Sequence, residues 1–280
     1  MGVTERSPLE ALYESPVVAP SELTDPLGRL YGGGLGLADA TVFTNFVASL
    51  DGSVALPQIP KSNRLISGGS DADRFVMGLL RAFADVVVVG SGTLHGSPTG
   101  TWSPARPHPA SAALFAELRR LRGQPERPEL AILTGSGGID VRHPALAERS
   151  VVLTSTAGAG RLHGRLPAAA EVTPLTSGAE IDPDVVLSAL AERGHRRILF
   201  EAGPHTFGAF AARGLIDELF LTLSPLLTGG SAATRLSLVE GVEPARDGLV
   251  HGDLLSLRRY EDHLFLRYGL RAEAPATADT

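Results

Sequence analysis

Short apolar runs rich in β-branched residues recur along the chain, and they constrain the fold more than any other feature. They cover residues 41–48, 85–89, 130–134, 151–154, 197–201 and 218–223. The run at 86–89 is all valine, so this strand is predicted to have helices on both faces. Helical patterns lie between the runs, at residues 71–83, 111–122, 182–193 and roughly 206–212. The alternation predicts an α/β fold with a central, mainly parallel sheet.

The end of the chain departs from this alternation. The runs LLSLRRY and HLFLRYGLR flank Glu261 and Asp262, a pattern typical of an antiparallel hairpin. We therefore expect a mixed sheet with an antiparallel C-terminal edge. Residues 1–38 mix Pro, Glu and Gly without sustained periodicity, which predicts an N-terminal arm. Residues 39–271 are predicted to be a single domain and residues 272–280, small and polar, a flexible tail.

Composition excludes several classes of function. The chain has no cysteine, which excludes disulfides, thiolate zinc sites and cysteine nucleophiles. Its net charge of −6 argues against a nucleic-acid partner, because such proteins present a basic surface to the phosphates. The histidines lack metal-ligand spacing and no GxSxG motif occurs, so neither a metal site nor a serine hydrolase is predicted. Without a long apolar run or a signal-peptide pattern, no membrane association and a cytoplasmic location are expected.

The first informative polar segment is TNFVASLDGSVA, residues 44–55, in which an apolar strand runs directly into Asp51 and Gly52. Ligands of α/β sheets bind where strands end, so Asp51 is predicted to lie beside a cleft. The alternative is an ordinary Asp-Gly turn, in which the side chain bonds its own backbone and glycine supplies a positive φ.

A second segment, VVVVGSGTLHGSP, places Gly90, Gly92 and Thr93 directly after a buried strand. Glycines there let the backbone approach a ligand closely. The dinucleotide motif GxGxxG is incomplete because His95 occupies its last glycine position, so a plain loop is an equal alternative.

A third segment, RRILFEAGPHTFGAF, turns from a strand into a helix at Gly203 and Pro204. The first N–H groups of such a helix suit the pyrophosphate of a dinucleotide. Proline has no N–H, so Gly203, His205, Thr206 and Phe207 are the predicted donors. A strand-to-helix corner without a ligand is again the alternative.

Taken together and in this order, TNFVASLDGSVA, ISG followed by a helix ending LLRA, DVVVVGSGTL and EAGPHTFGAFAARGLIDELFLTLSPLLTGG resemble the bacterial-type pyrimidine reductases of riboflavin biosynthesis. The likeness spans residues 40–270. It implies a dihydrofolate-reductase-like fold, with three α/β/α layers, and NADPH bound in a cleft between strand ends. It also implies a homodimer.

The resemblance assigns roles to individual positions. Asp51 is the predicted catalytic residue, which would orient or protonate the ring while NADPH passes a hydride to a ribose carbon held as an imine or carbonyl. The predicted substrate-binding residues are Asn45, Asn63, Arg81 and Glu201. The predicted cofactor-binding residues are Val47, Leu65, Gly90, Gly92, Thr93, Ser136, Gly203, Pro204, His205, Thr206, Phe207 and Gly208.

One departure leaves the substrate open. The family often has an acidic pair before a proline after the GxGT loop, with a downstream arginine for the substrate phosphate. Here the stretch is His95-Gly96-Ser97-Pro98, and Arg106 lies nearby. The predicted substrate is 5-amino-6-(5-phosphoribosylamino)uracil. The alternatives are dihydrofolate or another pterin on the same fold, and a dinucleotide-binding module without catalysis.

Overall fold

The computed structural model describes residues 8–59, 61–178, 180–243 and 248–272. Its strands are β1 (Glu10–Glu14), β2 (Thr41–Ala48), β3 (Ser53–Ala55), β4 (Val86–Gly90), β5 (Glu129–Thr134), β6 (Ser150–Ser155), β7 (Ala170–Thr176), β8 (Arg197–Phe200), β9 (Glu218–Leu223), β10 (Leu236–Ser237), β11 (Val250–Tyr260) and β12 (His263–Ala272). Its helices are α1 (Asp25–Tyr31), α2 (Ser62–Ile66), α3 (Asp71–Phe83), α4 (Ser91–Gly96), α5 (Ala112–Leu121), α6 (Thr156–Leu162), α7 (Pro183–Glu192) and α8 (Pro204–Ala211), with short 3₁₀ turns at Pro109–Ser111 and Pro144–Ala147.

Within these residues, ten strands form one sheet in the order β1-β11-β12-β9-β2-β8-β4-β5-β6-β7. Neighbours from β9 to β7 run parallel, whereas β1, β11, β12 and β9 pair antiparallel. Strand β2 lies between β8 and β9, with Thr44 opposite Phe200 on one side and Leu219 on the other. The predicted mixed, mainly parallel sheet with a C-terminal hairpin is confirmed.

Apolar clusters cover both faces of the sheet. Val87 and Val89 pack in the cluster that contains α3 and α5, and Val86 and Val88 pack in the cluster that contains α7 and α8. Alternate residues of a strand point to opposite faces, so all four valines are buried and each contributes about 1.5–3 kcal/mol of burial free energy. The all-valine run therefore has the helix-covered environment that its composition predicts.

The N-terminal segment contains two regular elements that its composition does not reveal. Strand β1 pairs with β11 at the edge of the sheet, and α1 buries Leu27 and Tyr31. Buried Arg258 donates hydrogen bonds to the carbonyls of Tyr31 and Gly34, each at 3.0 Å, and binds Glu14. Residues 8–38 are thus packed on the body of the domain. Residues 1–7 and 273–280, which carry the start of the predicted arm and nearly all of the predicted tail, lie outside the described residues.

Two further elements differ from simple expectation. The residues after β4 continue directly into α4 instead of an open loop. Strand β7 is not predicted from the sequence, because Pro174 and its half-exposed side chains interrupt the apolar pattern. Both features are tolerated at the edge of a sheet, where β7 lies. No helix in the described part of the chain is long and apolar enough to cross a bilayer.

Candidate active site

The predicted functional segments meet at one edge of the sheet. Parallel strands end on the same side, so the chain leaves β9, β2, β8, β4 and β5 at adjacent positions. We call this the carboxyl edge, and it comprises the residues that follow those five strands. The Asp51 turn follows β2, the Gly203-Pro204 turn follows β8, and Gly90 and Ser91 follow β4. Polar groups far apart in sequence therefore lie side by side, as ligand sites of open α/β sheets require.

Asp51 binds the loop that follows β9. Its carboxylate accepts hydrogen bonds from the Ser49 hydroxyl at 2.5 Å, the Gly229 N–H at 2.8 Å and the Thr228 N–H at 3.2 Å. Arg235 Nη1 lies 3.2 Å from its second oxygen. The Ser49 hydroxyl and then the Thr228 and Gly229 groups hold the pKa of Asp51 far below its usual range, although burial acts against them. An acid held so firmly ionised is a poor proton donor, so these contacts favour an orienting role.

The Asp-Gly turn considered from the sequence is also present. The Gly52 N–H donates to the Ser49 carbonyl at 2.9 Å, and Gly52 has a φ of +80°, a conformation that glycine adopts without strain. The Asp51 carboxylate does not bond its own turn backbone but reaches across to Thr228 and Gly229. The turn directs the Asp51 side chain toward the loop after β9, and the N–H groups of Thr228 and Gly229 in that loop donate to its carboxylate.

The glycine turns leave room beside the backbone. A Cβ added at Gly92 or Gly203 would meet no atom within 4 Å, so packing does not require glycine at either position. A Cβ added at Gly90 would lie 3.8 Å from the Thr206 hydroxyl, which places the end of β4 against the start of α8. These open positions at adjacent strand ends fit the close approach of a bound dinucleotide.

The first turn of α8 supplies fewer donors than the sequence predicts. Pro204 has no N–H, and the Phe207 N–H already bonds the Gly203 carbonyl at 3.0 Å, which leaves the His205 and Thr206 N–H groups without a partner inside the helix. Phe207 is itself buried, with its ring 5.2 Å from that of Phe46. Its amide and ring are therefore directed into the fold.

Two other predicted cofactor positions lie away from this turn. A Cβ at Gly208 would meet the Glu240 carbonyl oxygen at 2.6 Å, so this glycine allows α8 to pack closely on the segment around Glu240. Ser136 lies in the loop after β5, where its hydroxyl accepts from the Gly138 N–H at 3.2 Å and its carbonyl accepts from Arg161 at 2.9 Å. Phe207 and Gly208 thus serve packing, and Ser136 is an exposed group further along the carboxyl edge.

Two predicted substrate residues bind each other. The Arg81 guanidinium donates to both oxygens of Glu201, at 2.7 and 2.6 Å, and the two side chains are only 8% and 10% exposed. Its remaining nitrogen reaches the Ser103 carbonyl at 3.4 Å. Arg81 is therefore neutralised within the protein and is not a free cation for a phosphate.

The remaining predicted residues lie on three elements, β2, α2 and α4. Asn45 and Val47 are half-buried on β2 and share the sheet face of Phe43, which packs in the α3 cluster. Asn63 and Leu65 are exposed on α2. Thr93 is half-buried in the first turn of α4, and Arg106 is exposed. Across the described ranges, no group of three or more His, Asp or Glu side chains is placed to hold a metal ion.

Asp73, in the first turn of α3, is a buried acid that the sequence analysis did not single out. Its N–H donates to the N-cap hydroxyl of Ser70 at 3.3 Å, and the residue is only 4% exposed. Burial raises the pKa of Asp73 to about 6, while a hydrogen bond with the Thr222 side chain acts in the opposite direction. Acidic residues are common in the first turn of any helix because of the helix dipole, so no sequence signal distinguished this one.

The Asp51 partners were also missed, but they do leave a signal. Thr228 and Gly229 follow strand β9 at the same edge as the predicted motifs. A hydroxyl and a glycine pair after an apolar strand are the same pattern that marked the other turns. Arg235 carries no such signal; it lies at the end of the same β9–β10 connection, directly before β10, and its guanidinium donates to the Asp51 carbonyl at 2.9 Å.

Comparisons with known proteins agree with this architecture. A family model described as the RibD C-terminal domain matches residues 40–264. The chain is 25% identical over 198 residues to the 2,5-diamino-6-ribosylamino-4(3H)-pyrimidinone 5′-phosphate reductase of Archaeoglobus fulgidus, covering 68% of this chain and 82% of the relative. A pyrimidine reductase-like protein from Corynebacterium diphtheriae shares its fold with a TM-score of 0.70 at 21% identity, covering 89% of this chain and all of that one. RibD of Acinetobacter baumannii gives a TM-score of 0.64 at 19% identity, and the match covers 83% of this chain and 58% of that one.

Proposed function

Because this chain belongs to the RibD C-terminal domain family, we propose that it reduces a ribosylaminopyrimidine 5′-phosphate with NADPH at the carboxyl edge. The predicted class, a pyrimidine reductase of riboflavin biosynthesis, is confirmed by the family and by the named relatives. Reductases of this kind take their hydride from a nicotinamide cofactor. NADPH rather than NADH, and the ribosylaminouracil ring predicted from the sequence, are parts of the proposal.

The observation that carries this proposal is the meeting of three predicted segments at adjacent strand ends. The Asp51 turn, the Gly203-Pro204 turn and the Gly90-Ser91 turn follow β2, β8 and β4, which are neighbours in the sheet. Each segment alone is an ordinary turn. Their adjacency places an ionised carboxylate beside two open glycine positions, which suits an enzyme that binds a dinucleotide and a second ligand together.

The residues present fit a dinucleotide. The free N–H groups of His205 and Thr206 and the positive end of α8 favour a pyrophosphate, and the space beside Gly92 and Gly203 admits it. When bound, the cofactor supplies the hydride. We place Val47, Leu65 and Thr93 beside it and assign the exposed Ser136 hydroxyl to the adenosine end.

The protein then has to orient the substrate and allow the transfer of one proton to it. Reduction of the imine adds a hydride to the ribose carbon and a proton to the attached nitrogen. Asp51 keeps the loop at Thr228 and Gly229 in place as an ionised group. We assign the Arg81–Glu201 pair, which is fixed and neutral, and Asn45 to the wall of the substrate site, and the exposed Asn63 to its rim.

The test is oxidation of NADPH by the purified chain, followed by absorbance, with a ribosylaminopyrimidine 5′-phosphate and with dihydrofolate in parallel. Turnover of the ribosylaminopyrimidine is expected. Turnover of dihydrofolate alone would replace the proposal by the pterin alternative. Cofactor binding without turnover of either compound would leave the dinucleotide-binding module. NADH in place of NADPH tests the cofactor assignment.

Two further parts of the proposal concern the state of the protein. A homodimer is implied by the family resemblance and is checked by sedimentation equilibrium of the full chain. The cytoplasmic location stays a prediction, checked by fractionation of the native host.

A further inference from the structure

Arg235 is held at the carboxyl edge by its backbone and by one nitrogen of its side chain. It ends a tight turn in which the Thr234 and Arg235 N–H groups donate to the Ser231 carbonyl, at 2.9 and 3.0 Å. Its Nη1 donates to the Asp51 carbonyl at 2.9 Å, and lies 3.2 Å from the Asp51 carboxylate and 3.4 Å from the Ser53 hydroxyl. The guanidinium is therefore fixed in one orientation before any ligand binds.

The other side of this guanidinium is available to a ligand. Every hydrogen bond described for the Arg235 side chain uses Nη1, so Nε and Nη2 have no partner among the described residues. The side chain is 35% exposed, and neither nitrogen is buried. Nε and Nη2 lie side by side and form the fork that binds two oxygens of a carboxylate or phosphate. The contacts with Asp51 thus leave the bidentate donor pair of Arg235 unused.

Arg235 differs in this respect from arginines that serve the fold. Arg81 directs Nε and Nη2 at both oxygens of Glu201, at 2.7 and 2.6 Å. Arg267 does the same with Glu218, at 2.6 and 2.8 Å. In those pairs a carboxylate of the protein already occupies the fork. Arg235 instead contacts its carboxylate through the nitrogen outside the fork, so an anion from solution can complete it.

The loop that leads to Arg235 is built of small residues. Residues 229–233 read GGSAA and are all exposed. A Cβ added at Gly229 would meet no atom within 4 Å. The Gly229 N–H donates to the Asp51 carboxylate at 2.8 Å, so this open position lies beside the group that Arg235 contacts. The loop thus contributes no large side chain that would have to move for an anion to reach Arg235.

The position of Arg235 along the edge favours a phosphate of the substrate over those of the dinucleotide. The strand order there is β9-β2-β8-β4-β5. The proposed pyrophosphate site is the start of α8 after β8, and the proposed site of the 2′-phosphate is Ser136 after β5. Arg235 follows β9 and binds Asp51 after β2, at the opposite end of this order from Ser136. The substrate phosphate still needs a cation, because Glu201 neutralises Arg81.

We propose that the Nε–Nη2 fork of Arg235 binds the 5′-phosphate of the substrate, with Asp51 and Ser53 holding the guanidinium in position. This inference rests on the proposed function and adds a substrate-binding residue to it. A phosphate monoester presents three terminal oxygens, two of which match the fork. The dinucleotide carries phosphates of the same chemistry, so the experiment has to separate the two sources.

The central test compares a ribosylaminopyrimidine 5′-phosphate with the same compound after removal of its phosphate. In the wild type, kcat/KM should be higher for the phosphorylated compound by about 10- to 100-fold, the effect of charge-assisted hydrogen bonds. Arg235→Gln should reduce this ratio by about the same factor. A loss caused by displacement of the Asp51 loop affects both compounds and cancels in the ratio. Arg235→Lys keeps the charge without the fork, so it should retain part of the ratio.

Two other arginines serve as comparisons. Arg213, between α8 and β9, is 48% exposed and pairs with Asp182 and Asp184, so Arg213→Gln should leave the ratio unchanged. Arg106 is the rival cation. A reduced ratio in Arg106→Gln but not in Arg235→Gln would assign the phosphate to Arg106 and overturn the inference, while the proposed function stands. An unchanged ratio in Arg235→Gln, or equal kcat/KM for the two compounds in the wild type, would overturn it as well.

Calorimetric binding to the full chain separates the inference from the proposed function, with ribose 5-phosphate and NADPH as probes. Arg235→Gln should weaken the binding of ribose 5-phosphate by about 10- to 100-fold and leave that of NADPH unchanged. This result supports the inference even if neither pyrimidine is reduced. Weaker binding of NADPH alone would assign Arg235 to a phosphate of the dinucleotide, and equal weakening of both probes or of neither would also contradict the inference. Absence of ribose 5-phosphate binding in the wild type overturns the inference, and absence of NADPH binding as well overturns the proposed function with it.

Discussion

Two buried carboxylates at opposite edges of the sheet, Glu129 and Asp73, differ in how the fold stabilises their charge. At the start of β5, on the amino edge, Glu129 binds Arg193 at 2.7 Å and His195 at 2.5 Å, with Arg149 at 3.4 Å. Burial alone would raise the pKa of Glu129, but the hydrogen bonds from His195 and Arg193 outweigh it and lower the pKa to about 2. On the carboxyl edge, burial dominates and raises the pKa of Asp73 to about 6.

The difference shows what decides the cost of burying a carboxylate. A carboxylate surrounded by cations has its hydrogen bonds completed by the fold and needs no ligand. Where burial outweighs the stabilising contacts, as at Asp73, the ionised carboxylate keeps a cost that folding does not remove. Acid-to-amide substitutions at Glu129 and at Asp73 should therefore have opposite effects on stability.

The largest expected effect on stability is at the Arg81–Glu201 pair. This pair lies on the carboxyl edge, but Glu201 is bound by an arginine as Glu129 is on the amino edge. Arg81→Met leaves the Glu201 carboxylate buried and unpaired, so the free energy of unfolding should fall by about 3–5 kcal/mol. Denaturant unfolding measures it. The double variant Arg81→Met with Glu201→Gln should recover part of that loss. A stable single variant would show that the pair is not structural.

The second effect is at Glu129. Its depressed pKa contributes stability above the ordinary value of 4.5, and this is lost as the pH falls through about 2. Glu129→Gln should therefore lower the free energy of unfolding near neutral pH by at most about 3 kcal/mol, with the difference from wild type shrinking as the pH falls. Turnover of the folded variant should be unchanged. If the variant folds fully but loses turnover, Glu129 does not serve stability alone and the contrast with Asp73 fails.

The third effect has the opposite sign. Asp73 has a raised pKa, so its contribution to stability is complete below its ordinary value of 3.8 and is lost as the pH rises through about 6. Asp73→Asn should therefore increase the free energy of unfolding near pH 8 by about 1–3 kcal/mol. Unfolding curves at several pH values check it. A destabilised variant would place Asp73 with Glu129 as a structural acid.

The comparison of Glu129 with Asp73 also shows how much of the structure could be predicted from the sequence. The strands, the covered valines and the hairpin follow from local pattern, because burial on two faces needs unbroken apolar runs. The turns after β2, β4 and β8 could be placed at one edge from topology alone. Asp71 and Asp73 could not be separated: both are first-turn acids, and only the packing of α3 on the sheet leaves one partly exposed and buries the other. The ion pair between Arg81 and Glu201 could not be predicted either, because the two residues are 120 positions apart in sequence and only the packing of α3 on the sheet brings them together.

The fourth effect concerns turnover. Asp51→Asn weakens the hydrogen bonds that hold Thr228 and Gly229. A displacement of this loop should lower kcat by about 10- to 100-fold, with little change in the KM for NADPH. The control is Asp140→Asn, an exposed acid in the loop after β5. If KM rises instead and kcat is unchanged, Asp51 belongs to the cofactor site rather than to the orientation of the substrate.

The smallest effect tests how far the carboxyl edge extends as a functional surface. The Ser136 hydroxyl is exposed, and its described bond is to the Gly138 N–H at 3.2 Å. If it also bonds the 2′-phosphate, Ser136→Ala should raise the KM for NADPH by about three- to tenfold, the effect of one hydrogen bond. NADH lacks that phosphate, so its KM in the same variant is the internal control. An equal rise for both cofactors would mean that Ser136 acts only through the loop after β5, and the ligand-binding part of the edge would then end at β4.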